Sequence, residues 1–276
     1  GVAGYPVSTN VVRSRVAIYK PITVRSVNGP DVTRIKGNGV MGDTAIRCVY
    51  MTNGAQLVGF MVTNGATSPY AGITDREGGG VWCHDTASII SNCVIVGNKG
   101  WWDGGGAYHG TLYNCALVGN WASSGGGAYQ CELYNCQINS NTANSQGGGA
   151  YQGVLVNCEI NGNGAQSAGG GTYQSTMYHC EVFGNSVDNN GGGVYQGAAY
   201  YCEIHGNSAH AGGGAFGSDI YNSLISGNSA DSHGGGVYGG TLYSCAAVEN
   251  LAGEIGGGVC DGAVYNSIIY YNHAVV

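Results

Sequence analysis

The chain has 276 residues, of which only 9% are charged, with 53 glycines, 43% hydrophobic residues and a net charge of −7. Twenty tyrosines exclude a disordered chain, and glycine without a strict every-third spacing excludes collagen. All nine Lys and Arg lie at or before Lys99, so residues 1–99 are net +4 against five acids; residues 100–276, with eleven acids and no Lys or Arg, are −11. Neutralising phosphates needs Lys and Arg, so nucleic-acid binding along most of the chain is excluded. No apolar run of 18 residues occurs, so no membrane span is expected. No signal peptide opens the chain, and Gly1 reads as a mature or trimmed start.

From the start, VAIYKPITVRSVNGPDVTRIKG and AIRCVYMTNGAQLVGFMVTNGAT alternate apolar and polar residues between turn formers. They predict roughly three irregular strand-built coils over residues 1–77. Phe60 falls near the Cys slot, and Asn64 near the Asn slot, of the repeat that follows.

Glycine triplets begin at Gly78, Gly104, Gly125, Gly147, Gly169, Gly191, Gly212, Gly234 and Gly256, at intervals of 26 residues and then 21 or 22. Eleven residues after most triplets comes Cys or Ser: Cys115, Cys136, Cys158, Cys180, Cys202, Ser223, Cys245 and Ser267, with Cys93 in that slot of the longer first unit. Five residues on there is always Asn: Asn98, Asn120, Asn141, Asn163, Asn185, Asn207, Asn228, Asn250 and Asn272. A period of 20–50 residues signals a solenoid in which each unit buries its apolar face only against its neighbours. Twenty-two residues are too few for two helices with their turns, and the short alternating segments read as strands. The expectation is an all-β fold, a right-handed parallel β-helix of about 22 residues per coil and roughly twelve coils. It forms one domain over 1–276, with nine regular repeats over 78–276. Twelve coils at the strand spacing give a rod about 60 Å long.

Stacking in register turns the repeat into columns. Val81, Ala107, Ala128 and their successors point inward, as do Leu112, Leu133, Leu155 and theirs, and the Cys/Ser column. The Asn column sits at a turn, where side-chain amides bond to the coils on either side. A corner that needs positive φ explains the triplets, because glycine fills it cheaply. One aromatic column holds Trp82, Tyr108, Tyr129, Tyr151, Tyr173, Tyr195, Phe216 and Tyr238. Another holds Tyr113, Tyr134, Tyr178, Tyr200, Tyr221, Tyr243 and Tyr265. Both are read as outward: either they stiffen the sheet, or they offer a flat surface to glycans or a neighbouring protein.

GGGAYQGVLVNCEINGN, with KPITVRSVNGPDVTRIKG and LVGFMVTNGAT upstream, resembles the right-handed parallel β-helix repeat proteins of bacterial surfaces, relatives of the pectate-lyase-like superfamily. The unit is also similar to the repeats of polymorphic outer-membrane and autotransporter passenger proteins. The resemblance covers almost the whole chain and implies an extracellular or cell-surface location. It implies little about activity, since the fold hosts lyases, hydrolases, adhesins and inert stalks. Such proteins usually open with an amphipathic capping helix; none is visible here, and YNSIIYYNHAVV stops within a coil.

Of the eleven cysteines, Cys93, Cys115, Cys136, Cys158, Cys180, Cys202 and Cys245 share one column with Ser223 and Ser267. That exchange suits small buried residues, so free thiols are expected, although neighbouring coils lie near disulfide range. No spacing suggests zinc. The clearest break in the repeat, residues 75–109, holds Asp75, Arg76, Glu77, His84, Asp85, Lys99, Trp101, Trp102, Asp103 and His109. A glycosidase needs two carboxylates across the scissile bond. A lyase of the pectate type would take Lys99 or Arg76 as base with Asp85 and Asp103 as calcium-binding acids. A solvated junction between irregular and regular coils is the plainer reading of Asp75, Glu77, Asp85, Lys99 and Asp103. Glu159, Glu181 and Glu203 follow successive column cysteines, and a calcium ion would relieve their repulsion; no other cofactor is expected. The leading expectation is a non-catalytic structural subunit that joins head to tail with copies of itself, through uncapped ends of opposite charge. The alternative is a polysaccharide-binding adhesin, lyase or hydrolase.

Overall fold

The computed structural model describes residues 13–70, 72 and 75–275. The expected absence of an opening helix falls on residues 1–12 and lies outside them. Every strand pairing is parallel, and the strands form three sheets of 20, 11 and 8 strands. The first coil is β1 (Arg13–Ile18), β2 (Thr23–Arg25) and β3 (Arg34–Lys36). The second is β4 (Ile46–Met51), β5 (Gln56–Val58) and β6 (Met61–Thr63). Nine regular coils follow, beginning with β7 (Val81–Cys83), β8 (Ile89–Ser91) and β9 (Val94–Val96). The fold is therefore the β-solenoid read from the repeat, but shorter than expected: the 11-stranded sheet counts eleven coils among the described residues, not twelve. The early stretch supplies two coils rather than three, because its turns consume more residues than the later ones do.

The regular coils bend at residues in the left-handed region, most of them at four corners. In one coil these are Gly125, Gln130, Asn135 and Ser140, with φ of 61°, 50°, 53° and 55°; the next begins at Gly147. The spacing is five residues within a coil and seven to the next. Positive φ thus accounts for the first glycine of each triplet only. The second and third are required by close approach: a Cβ on Gly148 would stand 2.3 Å from the Gly164 carbonyl oxygen, and one on Gly149 would stand 2.6 Å from that of Gly171. The triplets instead pair backbone to backbone, as in Gly126 N–H to Gly147 O at 3.1 Å.

The interior is one continuous apolar cluster, with Leu112, Leu133, Leu155 and Met177 fully buried along one column and Leu117, Ile138 and Ile160 along another. Beside it runs the asparagine ladder. The backbone N–H and side-chain amide of Asn120 both donate to Asn141 Oδ1, at 3.0 and 2.9 Å, and the amide also donates to the Ile95 carbonyl at 2.9 Å. The same bonds recur from Asn98 to Asn272, satisfying polar groups that would otherwise be stranded in the core. Asn64 is one residue out of this column. Thr63 pairs with Val96, so Asn64 lies against Gly97 at a left-handed corner and Gly65 lies against Asn98. There the Gly65 N–H donates to Asn98 Oδ1 at 2.8 Å.

Candidate functional site

The column cysteines are buried and all eleven thiols are free. Cys136 Sγ faces the carbonyls of Tyr134 and Leu112 at 3.4 and 3.6 Å, and the Cys136 N–H points to Cys158 Sγ at 3.5 Å. Ser223 makes the same pattern with shorter bonds: Cys202 N–H donates to its Oγ at 2.9 Å, which donates to Tyr221 O at 2.7 Å. The column thus selects a small side chain that accepts from one coil and donates within its own, which both Cys and Ser do. Burial pushes the thiol of Cys48 up to about 12, and those of Cys83 and Cys131 further. Nucleophilic chemistry needs a thiolate, and these three are held as thiols.

The first aromatic column stacks face to face. Ring centroids lie 4.7 Å apart for Tyr129–Tyr151, 4.8 Å for Tyr151–Tyr173 and 5.1 Å for Tyr173–Tyr195, with planes within 9°. The stack begins above Trp82, at Tyr50, and ends at Tyr238. These rings point outward, as alternation suggested, but they do not lie open. Trp82 is buried and the others are half-buried, because each ring covers its neighbour. The second column is broken where Val156 stands between Tyr134 and Tyr178. Sugar rings dock on aromatic faces; in the first stack the faces are spent on one another, leaving ring edges and hydroxyls to solvent, whereas the second column ends in tilted, exposed rings at Tyr243 and Tyr265.

Residues 75–109 do not gather as one site. Asp85 follows β7 and makes an exposed pair with His84 at 3.1 Å. Lys99 is exposed on another side of the coil, bridged to Ala66 and Trp121. Asp85 and Lys99 thus lie on different sides of the coil, whereas Lys99 and Asp103 bridge to Trp121 and Ser124, the two ends of one strand. Asp75 and Glu77 do converge, around a residue that the repeat pattern passes over, Arg47, and Asp103 adjoins Glu77. Arg47 is buried and donates to the backbone carbonyls of Gly78 and Glu77 at 3.0 and 2.9 Å, with Asp75 at 3.9 Å. Burial lowers its guanidinium to about 10, against the opposing charges of Asp75 and Glu77. An arginine inside the apolar run AIRCVYM was the available signal.

Glu77 is buried, accepts from Trp82 Nε1 at 3.3 Å and is hydrogen-bonded by the Tyr108 hydroxyl. Asp103 is half-buried. Burial first, and the charge of Glu77 second, raise its carboxyl to about 6, against the hydrogen bond from Ser124. Two carboxylates are thus electrostatically coupled, as an acid–base pair requires. Glu77, however, is sealed beneath Trp82 and Tyr108, where no scissile bond reaches it. At the surface of the same corner Trp101 and Trp102 are exposed, and Arg76 lies 4.4 Å over the Trp102 ring.

Glu159, Glu181 and Glu203 pair in direct register, and His205 Nε2 lies 3.1 Å from Glu181. Among the described residues no group of three or more His, Cys, Asp or Glu is placed to hold a metal ion.

No protein-family model matches the chain, and no curated protein matches it. Among solved structures it is similar to the Dettilon tailspike protein, at 12% identity and a TM-score of 0.48 over 92% of this chain and 60% of that one. It is also similar to the alginate lyase from Paenibacillus sp., at 11% identity and a TM-score of 0.27 over 92% of this chain and 99% of that one. The chain spans about three fifths of the tailspike's length. Likeness at this level brings no function to this chain, whose β-solenoid fold rests on its own strand pairing.

Proposed function

We propose that the chain is a non-catalytic structural β-solenoid of the extracellular space or cell surface, a stiff rod joined end to end with further copies into a fibre or stalk. The observation that carries this reading is the asparagine ladder, hydrogen-bonded without a break from Asn98 to Asn272. Ladders that bond every coil to the next resist bending and local opening. The sealed position of Glu77, the spent faces of the first tyrosine stack and the burial of the thiols support a mechanical role over catalysis. The basic first coil and acidic later coils support head-to-tail contact.

One observation favours a second reading, polysaccharide binding: Trp101 and Trp102 are 37% and 40% exposed at the irregular corner. A panel of acidic and neutral polysaccharides separates the two. The structural reading expects neither turnover nor retention on any of them. Turnover, or binding abolished by Trp101→Ala, replaces it with a glycan-directed function.

A further inference from the structure

The cysteine column contains an unbroken run of thiols in the middle of the rod. Ala116 pairs with Val94 and with Gln137, Gln137 with Glu159, Glu159 with Glu181 and Glu181 with Glu203. Cys93, Cys115, Cys136, Cys158, Cys180 and Cys202 each come one residue before these paired positions, so they stand rung above rung. Each thiol is within hydrogen-bonding reach of its neighbours along the whole run. At the spacing of paired strands their Cα atoms are about 4.8 Å apart, inside the range that a disulfide spans. They follow left-handed corners, as Cys136 follows Asn135 and Cys158 follows Asn157, and they precede the strands rather than lie within them.

The other five cysteines have no such neighbour. Cys245 stands between Ser223 and Ser267, and Cys131 between Gly110 and Gly153. Cys83 lies opposite Met51, Cys260 opposite Tyr238, and Cys48 follows Arg47 in β4.

We propose that the six-thiol run is a modification site: an oxidising disulfide converts it to three bonds, Cys93–Cys115, Cys136–Cys158 and Cys180–Cys202, each stapling one coil to the next. Its use rests on the extracellular reading above, because reducing compartments keep thiols reduced. The exchange balances with glutathione disulfide as the oxidant. One cysteine attacks it as the thiolate and releases a first glutathione. The neighbouring cysteine, its proton lost to solvent, attacks the protein sulfur of the mixed disulfide and releases a second glutathione. Two protein thiols are oxidised and one glutathione disulfide is reduced to two thiols. The six sulfurs are buried once the coils stack, so the bonds form as the coils are laid down and the register selects the partners. Each bond closes a loop of one coil and holds that coil against local opening.

The test is refolding of the full reduced chain in a glutathione redox buffer, followed by thiol titration in denaturant and peptide mapping. The reduced chain has eleven free thiols; after oxidation it should have five, eleven less the six of the run, with Cys245 among them. The folded chain treated with diamide, which takes up the two hydrogen atoms, should reach the same count more slowly, so the outcome does not depend on refolding yield. Ser223→Cys extends the run through Cys245, so Cys245 should then be lost from the free thiols. Cys136→Ser should leave Cys93–Cys115 in place and one of Cys158, Cys180 and Cys202 free. Oxidation should raise the urea midpoint, and dithiothreitol should return it to that of the reduced chain. Native rods that keep eleven thiols under both treatments overturn the staple and leave the extracellular reading standing. Bonds that draw in Cys245 or Cys131 as often as the run overturn selection by register. The three bonds formed in vitro by a chain that resides in a reducing compartment support the pairing and remove the extracellular reading.

Discussion

Asn163 shows how much one side chain holds. Its Oδ1 accepts from the N–H and the amide of Asn141 at 2.9 and 3.0 Å, and its own amide donates to the Ile138 carbonyl at 2.7 Å and to Asn185 Oδ1 at 2.9 Å. Asn163→Ala strands at least two of these groups in a dry interior, which costs about 3 kcal/mol or more. Asn272 sits at the solvated last rung, where water replaces lost partners, so Asn272→Ala should cost only about 1 kcal/mol. Urea unfolding of the two variants checks the contrast; equal losses would mean that the ladder is not held by its amides. Asp103 gives a pH-dependent counterpart. Its carboxyl, raised to about 6, binds its proton more tightly folded than unfolded, so stability falls as pH rises from about 4 to about 6 and is flat above. With allowance for its partial solvation, the deficit at neutral pH is about 1–2 kcal/mol. Asp103→Asn should therefore raise the unfolding midpoint at pH 7.5 and leave it nearly unchanged at pH 4. An equal effect at both pH values would contradict the raised carboxyl of Asp103.

At the scale of the element, a strand here is defined by what lies in the same column one coil away. The cysteine column makes this testable. Cys180→Ser keeps an acceptor for the Cys158 N–H and a donor for the Tyr178 carbonyl, as Ser223 does in its own coil. It should change stability by less than about 1 kcal/mol, whereas Cys180→Val, which leaves that N–H unpaired, costs about 1–3 kcal/mol. Thermal unfolding of the pair decides, and a tolerated valine would reduce the column to simple packing. The same logic explains what was legible from the residues alone. Triplets, asparagines and cysteines recur in register, so their columns could be read directly. Three of the four left-handed corners could not, because Gln130, Asn135 and Ser140 fill them and neither glutamine nor serine is a strong sign of positive φ. Asn64 lies near the Asn slot, one residue before it, and Gly65 fills the slot itself in a turn of unchanged length. The grouping of Arg47 with Asp75 and Glu77 was hidden because it joins the start of the second coil to its far end across the irregular corner. Asp85 and Lys99, near in sequence, point to different sides.

For the whole molecule, eleven coils at the spacing of paired strands make a rod about 53 Å long. Each coil gains its stability from its two neighbours, so a coil with only one is the weakest part of the rod. In the proposed fibre the basic early coils of one copy meet the acidic later coils of the next. The measurement that tests this most directly is negative-stain electron microscopy of the purified chain over a range of concentration, at low and at high salt. The account predicts thin filaments with an axial repeat of about 53 Å, shortened at high salt as the attraction between unlike ends is screened. Isolated short rods at every concentration and salt would contradict it.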